Sequence, residues 1–135
     1  MRTPFVFLVL GTLAALAVSA CGNPATASAP AVTSQPSPGV TMTDANVFQP
    51  ATLSISTGTT VTWTNTSAVQ HTVTADASKA INAADVSLPA GVAAWDSGPL
   101  NPAQTYSHTF TTPGTYKYVC IPHESIGMVA TIVVS

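Results

Sequence analysis

Gly114-Thr-Tyr-Lys-Tyr-Val-Cys120-Ile-Pro-His123-Glu-Ser-Ile-Gly-Met128 is the stretch on which the reading of this chain turns. An alternating run places Tyr116, Tyr118 and Cys120 on one face, because side chains on a strand point to opposite sides in turn. The strand is expected to end at the thiol, a tight loop with Pro122 to carry His123, and a new strand to start at Met128. The spacing Cys-x2-His-x4-Met can therefore aim a thiol, an imidazole and a thioether at one point. Those donors suit copper, whose blue sites take two His, one Cys and a long axial Met. The second histidine must come from elsewhere, and His71 in Val69-Gln-His-Thr-Val73 is the candidate.

Each donor has a plainer reading when taken singly. A solitary His71 is more often structural than a ligand, and a solitary Cys120 more often an inert buried thiol. Their arrangement around one loop is what favours a metal. His108 alternates with Tyr106 and Phe110 and is placed at the core or its rim, not at the metal. Glu124 reads as a solvated loop residue, and Asn65-Thr-Ser67 as turn chemistry, although it also fits the glycosylation pattern.

Outward from the loop, period-two patterning recurs. Val40-Thr-Met42, Leu53-Ser-Ile55, Val61-Thr-Trp63, Tyr106 to Phe110 and Met128 to Val134 alternate apolar with polar residues. Turn signals fall between them at Thr57-Gly58, Ser97-Gly-Pro99 and Pro113-Gly114. The pattern predicts an all-β antiparallel sandwich or barrel over residues 39–135. Trp63, Phe110, Tyr116 and Tyr118 are its expected core. Residues 76–98 carry no clear period, and Ala77 to Asp85 is read as a loop with one helical turn at most.

Upstream, Gly22 to Pro38 is rich in Pro, Ala, Ser and Thr, so residues 21–38 are expected to be a flexible linker. Before it, Arg2 leads an apolar run from Phe5 to Val18 that ends in Val18-Ser-Ala-Cys21. This is the layout of a secretory signal over residues 1–20, with a lipobox-like cleavage site before Cys21. The expectation is a lipid on Cys21 that holds the domain outside the cytoplasm, on a bacterial membrane. Cys120 would then have no disulfide partner, and a leftover thiol in an oxidising compartment is reactive or metal-bound.

The chain of 135 residues is 46% hydrophobic and 6% charged, with a net charge of -2. It has no basic stripe, so nucleic acid is excluded as a partner. Three histidines leave only His108 beyond the two candidate ligands, which is too few for a second copper centre. A copper oxidase or other enzyme is therefore not expected. The alternative to electron transfer is an extracytoplasmic copper-binding or carrier protein using the same site.

The motifs Phe48-Gln-Pro-Ala-Thr-Leu-Ser-Ile, Gly58-Thr-Thr-Val-Thr-Trp-Thr-Asn65, His71-Thr-Val-Thr and Gly114 to Met128 together resemble the cupredoxins, and among them the plastocyanin-type proteins. The resemblance covers residues 39–135 and implies a Greek-key sandwich around one type 1 copper. It also implies a one-electron carrier, a monomer, with a redox protein as donor and another as acceptor. Position by position, it implies His71 and His123 as imidazole ligands, Cys120 as the thiolate and Met128 as the axial thioether. Backbone amides near Asn65 or Thr72 are the expected donors to the sulfur. Thr72 stands where many family members have an Asn that braces the ligand loops. Val119 stands where plant plastocyanins have a Tyr beside the ligand Cys, so the expected electron exit is His123, ringed by Pro122, Ile126 and Gly127.

Overall fold

The computed structural model describes residues 37–135. The expectations for the signal segment, Cys21 and nearly all of the linker lie outside those residues. Nine strands make up the described part. They are β1 (Gly39–Met42), β2 (Phe48–Gln49), β3 (Thr52–Ile55), β4 (Thr59–Asn65), β5 (Thr74–Ala75), β6 (Trp95–Asp96), β7 (Thr105–Phe110), β8 (Gly114–Val119) and β9 (Val129–Val134). Two short 3-10 turns, Ala83–Asp85 and Ile121–Ile126, complete the elements. Among the described residues no helix is long and apolar enough to cross a membrane.

The strands form two sheets, ordered β2-β1-β4-β7 and β3-β9-β8-β5-β6. Each sheet contains one parallel pair, β1 with β4 and β3 with β9, where the sequence pattern suggested antiparallel neighbours throughout. Alternation reports which face of a strand is buried and is blind to the direction of the strand beside it.

The alternation itself sets the burial. Val61, Trp63 and Asn65 of β4 point inward, as do Ala130, Ile132 and Val134 of β9. The outward threonines of β4 meet hydroxyls across the sheet, Thr60 with Thr109 at 2.7 Å and Thr62 with Ser107 at 2.8 Å. Between the sheets, Trp63 Nε1 donates to the Tyr118 hydroxyl at 3.0 Å, and the two rings meet edge to face. Phe48 packs on Tyr118, and Phe110 on Tyr116, in the same manner. Each buried aromatic contributes on the order of 1.5–3 kcal/mol through the area it removes from water. Burial pushes the Tyr118 hydroxyl well above its ordinary pKa, so it stays a neutral donor and acceptor.

Residues 76–98 pack against this frame. They hold the Ala83–Asp85 turn, capped by Asn82, whose side chain accepts from Ala84 N, and then β6 against β5. Pro89 lies so close to Gly114 that a Cβ there would stand 2.6 Å from its ring. Trp95 stacks on His108 with ring centres 4.8 Å apart, which places His108 at the rim of the core.

Candidate metal centre

β8 ends at Val119, one residue short of the thiol, and Cys120 caps the turn Ile121–Ile126. Backbone hydrogen bonds close the loop: Cys120 N to Met128 O at 3.0 Å, His123 N to Cys120 O at 3.0 Å and Met128 N to His123 O at 3.2 Å. Gly127 ends the turn at φ 91°, a left-handed conformation that favours glycine. Its amide donates to Glu124 O at 2.8 Å. Met128 follows, fully buried, tied through its backbone to both Cys120 and His123.

His71 arrives from the other direction, on the connection from β4 to β5. It forms an isolated bridge with Leu100, donating its amide at 3.1 Å and accepting Leu100 N–H at 2.8 Å. Asn65, fully buried, knits this connection together. Its amide nitrogen donates to Val69 O at 2.7 Å and to Leu100 O at 2.9 Å, while its Oδ1 accepts from Ser67 N and Ser67 Oγ. His71 Nε2 lies 2.9 Å from Ser67 Oγ. The single hydroxyl hydrogen of Ser67 has acceptors at Asn65 Oδ1 and Val69 O, so its oxygen receives a hydrogen from Nε2. That tautomer leaves the Nδ1 lone pair free, as a ligating imidazole requires.

The donors then meet. Cys120 Sγ is 3.4 Å from His71 Nδ1 and 3.4 Å from His123 Nδ1, and the two imidazole rings lie 4.7 Å apart. One potential ligand atom from each of the three residues lies within 4.8 Å of the others. His71 and Cys120 are fully buried, and His123 is only partly covered. Pro122 and Ile126 share the turn with His123, Gly127 caps its end, and all three are exposed, Ile126 by 66%.

Thr72 N–H donates to Cys120 Sγ at 3.3 Å. The amide of Asn65 is committed instead to Gln104 O, so of the two expected donors only Thr72 reaches the sulfur. Burial raises the thiol's pKa, against the lowering effect of Thr72 and His123 backbone donation. Burial, then the neighbouring His123, lowers that of His71, with Asp44 acting weakly the other way. The metal-free cluster is therefore a neutral thiol beside a neutral His71, and a cation seated there displaces the thiol proton. Two nitrogens and a sulfur around one point, dry on one side and partly open on the other, fit a soft or borderline ion such as copper.

The expected turn chemistry of Asn65-Thr-Ser67 is present but incomplete, and the expectation of a solvated Glu124 is overturned. Ser67 orients His71 and is more than a turn residue. Glu124 is 5% exposed, and its two carboxylate oxygens accept from Ile81 N at 2.7 Å and Asn82 N at 2.8 Å. Neither role has a local signature, since each partner is set by tertiary packing.

The sequence matches the family described as copper binding proteins, plastocyanin/azurin family, over residues 37–135. It is 37% identical over 92 residues to the chloroplastic plastocyanin of Tetradesmus obliquus, covering 65% of this chain and 58% of that protein. It is 37% identical over 89 residues to the plastocyanin of Scenedesmus fuscus, covering 65% of this chain and 86% of that one. The fold is similar to that of a purple cupredoxin from Nitrosopumilus maritimus, with TM-score 0.55, 28% identity and coverage of 73% of this chain and 99% of that one. It is also similar to a copper(I) amicyanin variant, with TM-score 0.59, 30% identity and coverage of 78% and 88%.

Proposed function

This chain belongs to the plastocyanin/azurin family of copper-binding proteins, and we propose that it is a one-electron carrier tethered outside the cytoplasm, cycling between copper(II) and copper(I). The carrying observation is the approach of Cys120 Sγ to the Nδ1 atoms of His71 and His123 at 3.4 Å each. In this reading His71, Cys120 and His123 would hold the ion, and Met128 would supply a weak thioether donor. Bound copper would provide a one-electron couple, and two imidazoles, a thiolate and a weak thioether donor suit both of its oxidation states.

The chain's own residues do the rest. Ser67 and Asn65 fix the ring of His71, so that little rearrangement accompanies a change of charge. Thr72 N–H draws density from the sulfur and tunes its donation. The buried side of the site excludes water, and the partly exposed edge of His123 offers the exit. The apolar rim of Pro122, Ile126 and Gly127 suits transient contact with a redox protein, as donor or as acceptor. Val119 precedes Cys120, so no Tyr leads a second path out beside the thiolate. A pure copper carrier would need to release its ion, and the full burial of His71 and Cys120 favours retention. His108 is stacked on Trp95, outside the cluster, which supports a carrier over an enzyme with a second copper centre.

The test is the optical and EPR spectrum of the copper-loaded chain before and after ascorbate. An intense thiolate-to-copper band that bleaches reversibly, with a narrow hyperfine splitting, is expected. A weak, ordinary copper spectrum would overturn the assignment. We propose further that the tether is a lipid on Cys21, and the mass of the same chain made in bacteria reads this directly. An unmodified Cys21 thiol there would sink it.

A further inference from the structure

Behind the sulfur runs a line of hydroxyls that ends at an ion pair. Ile121 N–H, the first amide after the thiol, donates to Thr72 Oγ1 at 2.9 Å. Thr72 Oγ1 lies 3.0 Å from Thr74 Oγ1, which lies 2.8 Å from Asp96 Oδ1. Thr74 has one hydroxyl hydrogen and a carboxylate can only accept, so Thr74 donates to Asp96 and receives the hydrogen of Thr72. Asp96 also accepts from Gly98 N at 3.0 Å and from Lys79 Nζ at 2.7 Å. Every donor in the line points the same way, from the peptide after Cys120 to a charged acceptor on β6. Thr74 is fully buried and Thr72 nearly so, while the Lys79 side chain is 49% exposed.

We propose that Thr74 and Asp96 are positioning residues for the copper site, holding Thr72 so that it grips Cys120 from both sides. The amide of Thr72 touches the sulfur and its hydroxyl holds the next peptide, so a fixed Thr72 hydroxyl ties the Cys120–Ile121 backbone to the segment whose amide meets the sulfur. Hydrogen bonds in series strengthen one another, and a charged terminus strengthens the last. Burial opposes the ionised form of Asp96, but donation from Lys79, Thr74 and Gly98 outweighs it and keeps the carboxylate below its ordinary pKa. The acceptor end therefore stays charged at neutral pH. A Thr alone is shorter than an Asn, and the line through Thr74 supplies the stiffness its length cannot. A firm N–H on sulfur weakens donation to copper(II) more than to copper(I), which raises the potential.

This inference rests on the copper reading for its electrochemical arm only. Thr74→Val removes the hydroxyl with little change of volume, and Thr74→Ser restores it. In the metal-free chain, Thr74→Val should speed amide hydrogen exchange at Ile121 by about tenfold, and Thr74→Ser should return it to the wild-type rate. In the copper-loaded chain, Thr74→Val should shift the equilibrium towards copper(II) by about fivefold, or about 40 mV at 59 mV per decade for one electron. Asp96→Ala, at a partly exposed position, should speed exchange at Ile121 in the same direction and guards against a Thr74 variant that fails to fold. Wild-type exchange in the Thr74→Val and Asp96→Ala chains would overturn the proposal. So would a lowered melting temperature with an unmoved potential, or a Thr74→Ser chain that rescues neither readout. A wild-type chain that lacks the thiolate band would defeat the copper reading, while the exchange experiment would still decide the hydroxyl line.

Discussion

Thr72 shows how much one position of this site does. Its amide meets the sulfur and its hydroxyl meets the following peptide, and both tasks depend on its being next to His71 in sequence and next to Cys120 in space. Met128 is the complementary case: its backbone ties Cys120 to His123, and in the proposed site its side chain would add only a weak thioether donor. It is fully buried, and replacing it by Leu nearly conserves volume, which costs under about 1.5 kcal/mol. Met128→Leu should keep the intense absorption and raise the potential, because losing a weak donor disfavours copper(II). Voltammetry of the two chains checks this, and an unchanged potential would argue against an axial role. The grouping of Cys120 with His123 was legible because Cys-x2-His is local and chemically specific. The roles of Ser67 and Glu124 were not, because a serine four residues before a histidine and a glutamate after one have many meanings.

At the level of elements, the turn Ile121–Ile126 is too short to define itself. Its 3-10 geometry makes only a few internal bonds, and outside partners must finish the job. Glu124 is the largest of these, clasping two successive amides at Ile81 and Asn82 and fastening the turn to residues 76–98. This explains why that segment looked featureless in sequence. Its order comes from a carboxylate some forty positions away, from Asn82 capping its one turn, and from the two-residue strand β6. None of these carries a period. Hydrogen bonds to a charged group are each worth about 1.5–3 kcal/mol. Glu124→Ala should therefore destabilise the metal-free chain by about 3 kcal/mol, the lower end for two such bonds, lowering its melting temperature by roughly 12–24 °C. Glu124→Gln, which keeps one acceptor, should lose about half as much. A Glu124→Ala chain that melts with the wild type would show that the clasp contributes nothing.

Over the whole molecule, the long strands were legible because burial imposes their alternation, and Trp63, Phe110, Tyr116 and Tyr118 occupy the core their spacing predicted. The two parallel pairings, which decide the order of strands in each sheet, left no mark in the sequence. The same burial that makes the core legible gives the fold a dependence on pH. His71 is held below its ordinary pKa of 6.5 by burial and by His123, and His108 by burial alone. The unfolded chain therefore binds protons more readily than the folded one, and stability rises with pH. The contribution is complete above pH 6.5 and is lost as acid carries the solution down through the folded values. Its limiting slope is about 1.4 kcal/mol per pH unit for each histidine. Asp96 acts in the same sense but only below its ordinary 3.8, outside the window. The metal-free melting temperature should therefore fall steadily between pH 7 and pH 5, and fall less in His108→Gln. Copper at a hundred times its dissociation constant should add about 2.7 kcal/mol at neutral pH. Because seating the ion expels the thiol proton, that increment should itself shrink in acid. Thermal unfolding with and without copper across this range checks both effects, and a metal-free melting temperature that is flat or rises in acid would show that His71 and His108 are not the groups that set it.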